Sequence, residues 1–242
     1  MGSDVGGLIS AAVSETSPVM AAPVLYIGNK NYSSWSMRPW LALKWGGIPF
    51  TEKLIQLGGE GYGRSQIKEI RAVSPSGRVP ALHVNDTVIY DSLSICEWAA
   101  EQTPGLWPRD TMARAVARSA AAEMHSGFFA LRAAMSMNVR RELDAEPDWN
   151  AHTRADLDQV FTLWGGLRAR YGDGGQFLFG PRSIADAMFA PVATRLRTYK
   201  VTAPEVVVAY CETIFADEAF KEWEAAGKAE PWTVEETEKL YR

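Results

Sequence analysis

Three serines crowd the stretch Asn31-Tyr32-Ser33-Ser34-Trp35-Ser36-Met37-Arg38, where a short apolar strand gives way to a helix. Hydroxyls and free N–H groups at such a junction converge on one spot. The chain's three histidines, His83, His125 and His152, all lie far along the sequence, and no G-x-S-x-G elbow is present. A Ser-His-Asp hydrolase is therefore poorly supported. A hydroxyl with no base beside it serves better as a hydrogen-bond donor to an anion, such as the thiolate of a bound thiol peptide. A second set of residues lies in SPSGRVPALHVNDTVIYDS, from Ser74 to Ser92. Pro80 has no N–H, and the Val79-Pro80 bond can be cis at modest cost. That would leave the amide and carbonyl of Val79 to pair with an extended peptide. Asp91 and Ser92 precede SLSICEWAAEQ, which reads as a helix, and a helix N-terminus is a ready carboxylate site. A backbone clamp beside a carboxylate pocket suits a small peptide ligand.

The elements that must position these residues follow from the pattern. VLYIG (24–28) is a short apolar strand, and RPWLALKWGG (38–47) a helix with Pro39 in its first turn and Gly46-Gly47 as its stop. PFTEKLIQL (49–57) predicts a second strand and GRSQIKEIRAV (63–73) a short polar helix. ALHV (81–84) and TVIY (87–90) flank Asn85-Asp86, which tolerate the positive φ of a tight hairpin turn. A helix over 92–102 completes a β-α-β-α-β-β-α order. TPGLWPRD (103–110) breaks the pattern as a linker. Beyond it Val116, Ala120, Met124, Phe128, Leu131, Met135 and Val139 recur at steps of three and four, predicting one long amphipathic helix. Leu157, Val160, Trp164, Leu167 and Tyr171 predict a second helix, residues 183–199 a third that Pro191 should kink, and 204–214 and 217–227 two shorter ones.

A chain of 242 residues with 47% hydrophobic and 22% charged residues can bury a large core. Its net charge of −4 argues against nucleic acid, which needs a basic face. No apolar run approaches the roughly 20 residues that span a bilayer. Cys96 and Cys211 have no metal-ligand or CxxC spacing and read as buried thiols of a reducing compartment, so a cytoplasmic location and no metal are expected. Residues 1–22 are rich in Gly, Ser and Ala, and Asp4 and Glu15 interrupt any secretory pattern. They read as a disordered extension, with Met20 as an alternative start.

Four motifs in order resemble the glutathione S-transferases over residues 23–242. SSWSMRPWLAL (33–43) is similar to the SSCSWRVRIAL-type segment of the zeta class. SPSGRVPAL (74–82) resembles the N-P-x-G-x-V-P-x-L stretch, and Asp91-Ser92 the Glu/Gln-Ser pair. FLFGPRSIADAMFAPV (177–192) resembles the helical-domain segment with a Ser/Thr-x-x-Asp capping box, here Ser183 to Asp186. The resemblance implies a thioredoxin-like domain over 23–102 with a mixed four-stranded sheet, a linker over 103–111 and an all-helical domain over 112–242. The first would bind glutathione, and the second would shape an apolar pocket for a small electrophile.

Carried over by position, Ser33 is the hydroxyl that faces the glutathione sulfur, with Ser34 as neighbouring contact and reserve candidate. Val79 pairs its backbone with the cysteinyl unit and Pro80 is cis. Asp91 and Ser92 hold the γ-glutamyl end. A C2 homodimer is implied by the resemblance alone. Trp35 stands where the zeta-like segment has Cys, which weakens maleylacetoacetate isomerisation and disfavours thiol transfer through a mixed disulfide. The sequence therefore predicts a serine-type glutathione transferase. The alternatives are a glutathione-dependent isomerase or dehalogenase, or a non-catalytic ligand-binding protein on the same fold.

Bland roles compete for the same residues. Ser33 and Ser34 compete as caps of the first helix, though Ser36 reads better in that role. Ser183 and Asp186 read as a folding device, and His125 as a solvated or packed histidine, the alternative being that it faces the second, apolar pocket. Arg38, Arg195 and Arg197 read as ion pairs between helices. Trp40 and Trp45 are candidates for a pocket or a dimer face.

Overall fold

The computed structural model describes residues 21–239. The extension expected over residues 1–22 falls outside these apart from Ala21 and Ala22. Strand β1 (Val24–Ile27) runs into helix α1 (Ser34–Trp45), then β2 (Thr51–Leu54), α2 (Lys68–Val73), β3 (Ala81–Val84), β4 (Thr87–Tyr90) and α3 (Ser92–Gln102). The sheet order is β2-β1-β3-β4, with β1 and β2 parallel and the other pairs antiparallel. In the β1–β3 register Leu25 faces Leu82 and Tyr26 faces Ala81. This is the expected thioredoxin-like order with its mixed four-stranded sheet. Helices α4 (Thr111–Ser126), α5 (Phe129–Ala134), α6 (Ala151–Tyr171), α7 (Ile184–Thr198), α8 (Glu205–Ala216), α9 (Glu218–Ala229) and α10 (Glu235–Glu238) follow a single 3-10 turn.

Helix α1 packs between α3 on one side and α7 on the other, which explains why ten of its twelve residues are buried and its polar face is thin. Its core members Met37, Trp40 and Leu41 are almost fully enclosed, and Trp40 meets Trp223 of α9 edge-on at 5.3 Å. Trp40 and Trp45 are thus buried in the interior and present no free face. Their indole N–H groups donate to Glu52 (2.6 Å) and Asp217 (2.9 Å), tying α1 to β2 and to the start of α9.

Two expected helices change. The long helix over 116–139 is broken at Gly127-Phe128, where Phe128 takes a left-handed φ of 55°. A Cβ on Gly127 would stand 2.8 Å from the Glu123 carbonyl that its own N–H reaches. Asp156 accepts the Leu131 amide and anchors the short α5 that follows. Met135 and Val139 are still buried, so their spacing recorded burial of an irregular segment, not helix. The helix expected over 63–73 begins only at Lys68, because Gly61, Gly63 and Ser65 hold positive φ before it. The second strand is likewise trimmed to four largely exposed residues.

Candidate functional site

The turn from β1 into α1 is built by its own polar groups. The amides of Tyr32 and Ser33 both donate to the Asn29 carbonyl, at 3.1 and 2.8 Å. Ser33 is the N-cap of α1, its Oγ accepting the Ser36 amide at 3.3 Å. The cap is therefore Ser33, and Ser36 lies inside the helix. The Ser33 hydroxyl donates to the Ser36 Oγ at 2.7 Å, and the same oxygen accepts the Gly28 amide at 3.1 Å. Ser34, the first helical residue, is buried and does not line the cavity described next.

A cavity of about 590 Å³ opens over this turn. It brings together Ser33, Val79, Pro80, Asp91 and Ser92 from three separated segments, and leaves Ser34 out. The Val79-Pro80 peptide is cis. Among the described residues no hydrogen bond engages the Val79 backbone. Asp91 caps α3 at a positive φ of 81°, where its Oδ1 accepts the amides of Leu93 (2.9 Å) and Ser94 (3.4 Å). Ser92 is 1% exposed, and its Oγ has no partner among the described residues. A buried hydroxyl left unpaired is costly, and one lining a cavity at a helix N-terminus is placed for an anion.

The helical region adds a residue that sequence reasoning set aside. His125, near the end of α4, lines the cavity with its Nε2 3.2 Å from the Asp91 Oδ2. Its ring meets Trp35 edge-on at 5.4 Å. The only signal in the sequence was its place on the long amphipathic helix, from which it could face the second pocket, and nothing there pointed to Asp91. Trp35, where the resemblance has Cys, lies between two guanidinium groups, Arg38 at 4.4 Å and Arg132 at 5.2 Å.

Electrostatics here is set by burial. The Arg38 guanidinium is buried, its Nε and Nη1 find no partner, and its pKa falls to about 9, first from desolvation and then from Arg195 and Arg132. Of the three arginines read as interhelical ion pairs, only Arg197 makes one among the described residues, with Glu224. Arg195 donates instead to the carbonyls of Met135 and Pro191. Tyr32 also lines the cavity, but its hydroxyl donates to Glu238 at 2.7 Å and accepts from Arg140 at 2.9 Å. Burial, and then that bond to Glu238, raise its pKa, so it is no ready proton donor. Burial pushes the Cys96 and Cys211 thiols up as well, which makes them inert. Among the described residues no cluster of three metal-ligating side chains occurs, and no helix is long and apolar enough to cross a membrane.

Residues 32–102 match the family model described as the glutathione S-transferase N-terminal domain. The chain is 28% identical to maleylacetoacetate isomerase of Rattus norvegicus over 204 residues, covering 82% of this chain and 90% of the rat protein. It is also 28% identical to maleylpyruvate isomerase of a Ralstonia species over 181 residues, 71% of this chain and 84% of that protein. Among solved structures, a glutathione transferase homologue from Burkholderia with bound glutathione superposes with a TM-score of 0.63 at 23% identity, covering 85% of this chain and 97% of its own.

Proposed function

We propose that the chain, whose residues 32–102 match the glutathione S-transferase N-terminal domain, is a member of that family, binds glutathione in the 590 Å³ cavity and activates its thiol through Ser33. One observation carries the reading: a single cavity gathers Ser33, Val79, Asp91 and Ser92, with the Val79 peptide and the Ser92 hydroxyl unpartnered among the described residues. The cysteinyl unit pairs with the Val79 backbone. The γ-glutamyl carboxylate takes the Ser92 hydroxyl at the start of α3, and its ammonium group meets Asp91.

The chemistry asked of Ser33 is modest. A free thiol titrates at about 8.5, and lowering that by about two makes thiolate the major form, for about 2.7 kcal/mol of differential stabilisation. A hydroxyl donor to the anion and the α1 N-terminus together supply that order of energy. In the unliganded site the Ser33 hydroxyl donates to the Ser36 Oγ, and on binding it turns that proton to the sulfur while the Ser36 Oγ keeps the Gly28 amide. The thiolate then attacks an electrophile held beside Trp35 and His125, where proximity does much of the rest.

A second reading has its own support, because both curated relatives are isomerases. The same thiolate can add to a conjugated double bond, allow rotation about the resulting single bond, and leave again with glutathione regenerated. Trp35 in the Cys position weighs against transferring the relatives' substrates directly. Retention on immobilised glutathione, with a rise in melting temperature on adding it, is the expected result. A protein that is neither retained nor stabilised removes both readings and leaves a ligand-binding role. Conjugation of chlorodinitrobenzene without isomerisation of a maleyl-type enoate favours the first reading, and the reverse favours the second. A homodimer belongs with this proposal, and the mass in solution tests it.

A further inference from the structure

The turn that presents Ser33 takes its outer hydrogen bonds from residues about one hundred and about two hundred positions away. Just past the end of α9, Glu230 is 8% exposed. Its Oε1 accepts the Lys30 amide at 2.6 Å, and its Oε2 the Asn31 amide at 3.2 Å. A bidentate carboxylate of this kind fixes two successive peptides in one orientation. Trp223 of α9 donates to the Lys30 carbonyl at 3.0 Å, and the Val139 amide to the Asn31 carbonyl at 3.3 Å. Arg140 closes the arrangement. Its guanidinium donates to the Glu230 and Trp232 carbonyls and to the Tyr32 hydroxyl, at 2.6, 2.7 and 2.9 Å.

A second observation is steric. Gly227 of α9 is buried against the turn, and a Cβ there would stand 3.1 Å from the Asn31 amide nitrogen and 2.9 Å from a Val139 methyl. The helix approaches the backbone of the turn directly, with no side chain between them. Burial raises the Glu230 pKa and the two amide donors oppose that rise. The carboxylate is thus held in place by the turn it orders.

We propose that Glu230 is a positioning residue for Ser33: by gripping the Lys30 and Asn31 amides it sets the direction of the Ser33 hydroxyl, and so how strongly the bound thiol is ionised. The proposal rests on the glutathione-activating function given above. Its experimental signature differs from that of the clamp. Val79, Asp91 and Ser92 lie on other segments, so loss of Glu230 should change thiol ionisation more than binding.

The test compares wild type with Glu230→Gln, which keeps size and one acceptor, and with Gly227→Val, which presses on the same turn from the helix side. The readouts are the ultraviolet thiolate absorbance of bound glutathione against pH, and kcat and KM for glutathione with chlorodinitrobenzene. Glu230→Gln should raise the pKa of the bound thiol by about one and lower kcat about tenfold at neutral pH, with KM changed less than about twofold. Gly227→Val should move the thiol pKa in the same direction. A thiol pKa and kcat equal to wild type in Glu230→Gln overturns the proposal. So does a Glu230→Gln chain that does not fold, since Glu230 would then be a stability residue. If wild type itself shows no bound thiolate, it is the glutathione reading that fails, which distinguishes the two failures.

Discussion

Helices α3 and α7 begin alike and end up doing different things. Each starts with a serine and an aspartate, but Asp186 is buried while Asp91 is exposed, and the polar groups point to different ends. At α7, Asp186 is fully buried and receives the amides of Leu178 and Ser183 and the hydroxyls of Ser183 and Tyr210, all within 3.0 Å. Every acceptor position is used inside the protein. At α3, Asp91 bridges its own helix and His125, while the Ser92 hydroxyl faces the cavity unpaired. A saturated cap is a folding device, and an unsaturated one beside a cavity is a binding device. A motif alone does not separate them; the direction of the unused lone pairs and protons does.

The largest expected effect is at the saturated cap. Asp186→Ala leaves four buried donors without an acceptor and should cost about 3–5 kcal/mol of stability in denaturant unfolding. If its cost matches that of Ser92→Ala, the contrast between the two caps is broken. Next is a pH effect at the same residue. Burial, only partly offset by its hydrogen bonds, raises the Asp186 pKa to about 6. The folded state then holds this proton more tightly than the unfolded chain. The contribution is fully present below about pH 4 and is lost as pH rises through 6, a change on the order of 3 kcal/mol. Unfolding profiles of wild type against Asp186→Ala between those values should diverge by that trend. A flat difference would place the carboxylate in a better solvated setting.

At the open cap the expected changes move from stability to affinity. Ser92→Ala should raise KM for glutathione about tenfold, the loss of one hydrogen bond to a charged group, with stability within about 0.5 kcal/mol of wild type. The smallest effect concerns His125. His125→Ala frees the Asp91 Oδ2 without touching its cap bonds, so KM for glutathione should shift by about two- to fivefold and the melting temperature very little. A large loss of kcat instead would give His125 a part in the chemistry.

What could be read from the sequence follows the same division. Features written in neighbouring residues were legible: the β-α-β-α-β-β-α sequence of elements, the Ser183–Asp186 box, the Val79-Pro80 step and the Asp91-Ser92 helix start. Each rests on local backbone chemistry. Features set by distant partners were not. Nothing in the sequence singles out Glu230, and only the packing of α9 against the β1–α1 turn gives it two backbone amides. His125 sits 34 positions from Asp91 and needs α4 folded beside α3 to reach it. Phe128 breaks an apolar stripe whose period stays helical, because burial and helix leave the same spacing when a turn is only briefly interrupted. Ser33 and Ser36 both had the right type for a cap, and only coordinates distinguish the capping oxygen from the one behind it.

The central claim is that the Ser33 hydroxyl stabilises a glutathione thiolate, and the titration of the bound thiol in wild type and Ser33→Ala tests it most directly. In wild type the thiol should ionise about two pH units below the free value of about 8.5. In Ser33→Ala it should return most of the way to that value while glutathione still binds. A Ser33→Ala protein that binds glutathione with its thiol as acidic as in wild type would contradict the account and transfer the role to another group.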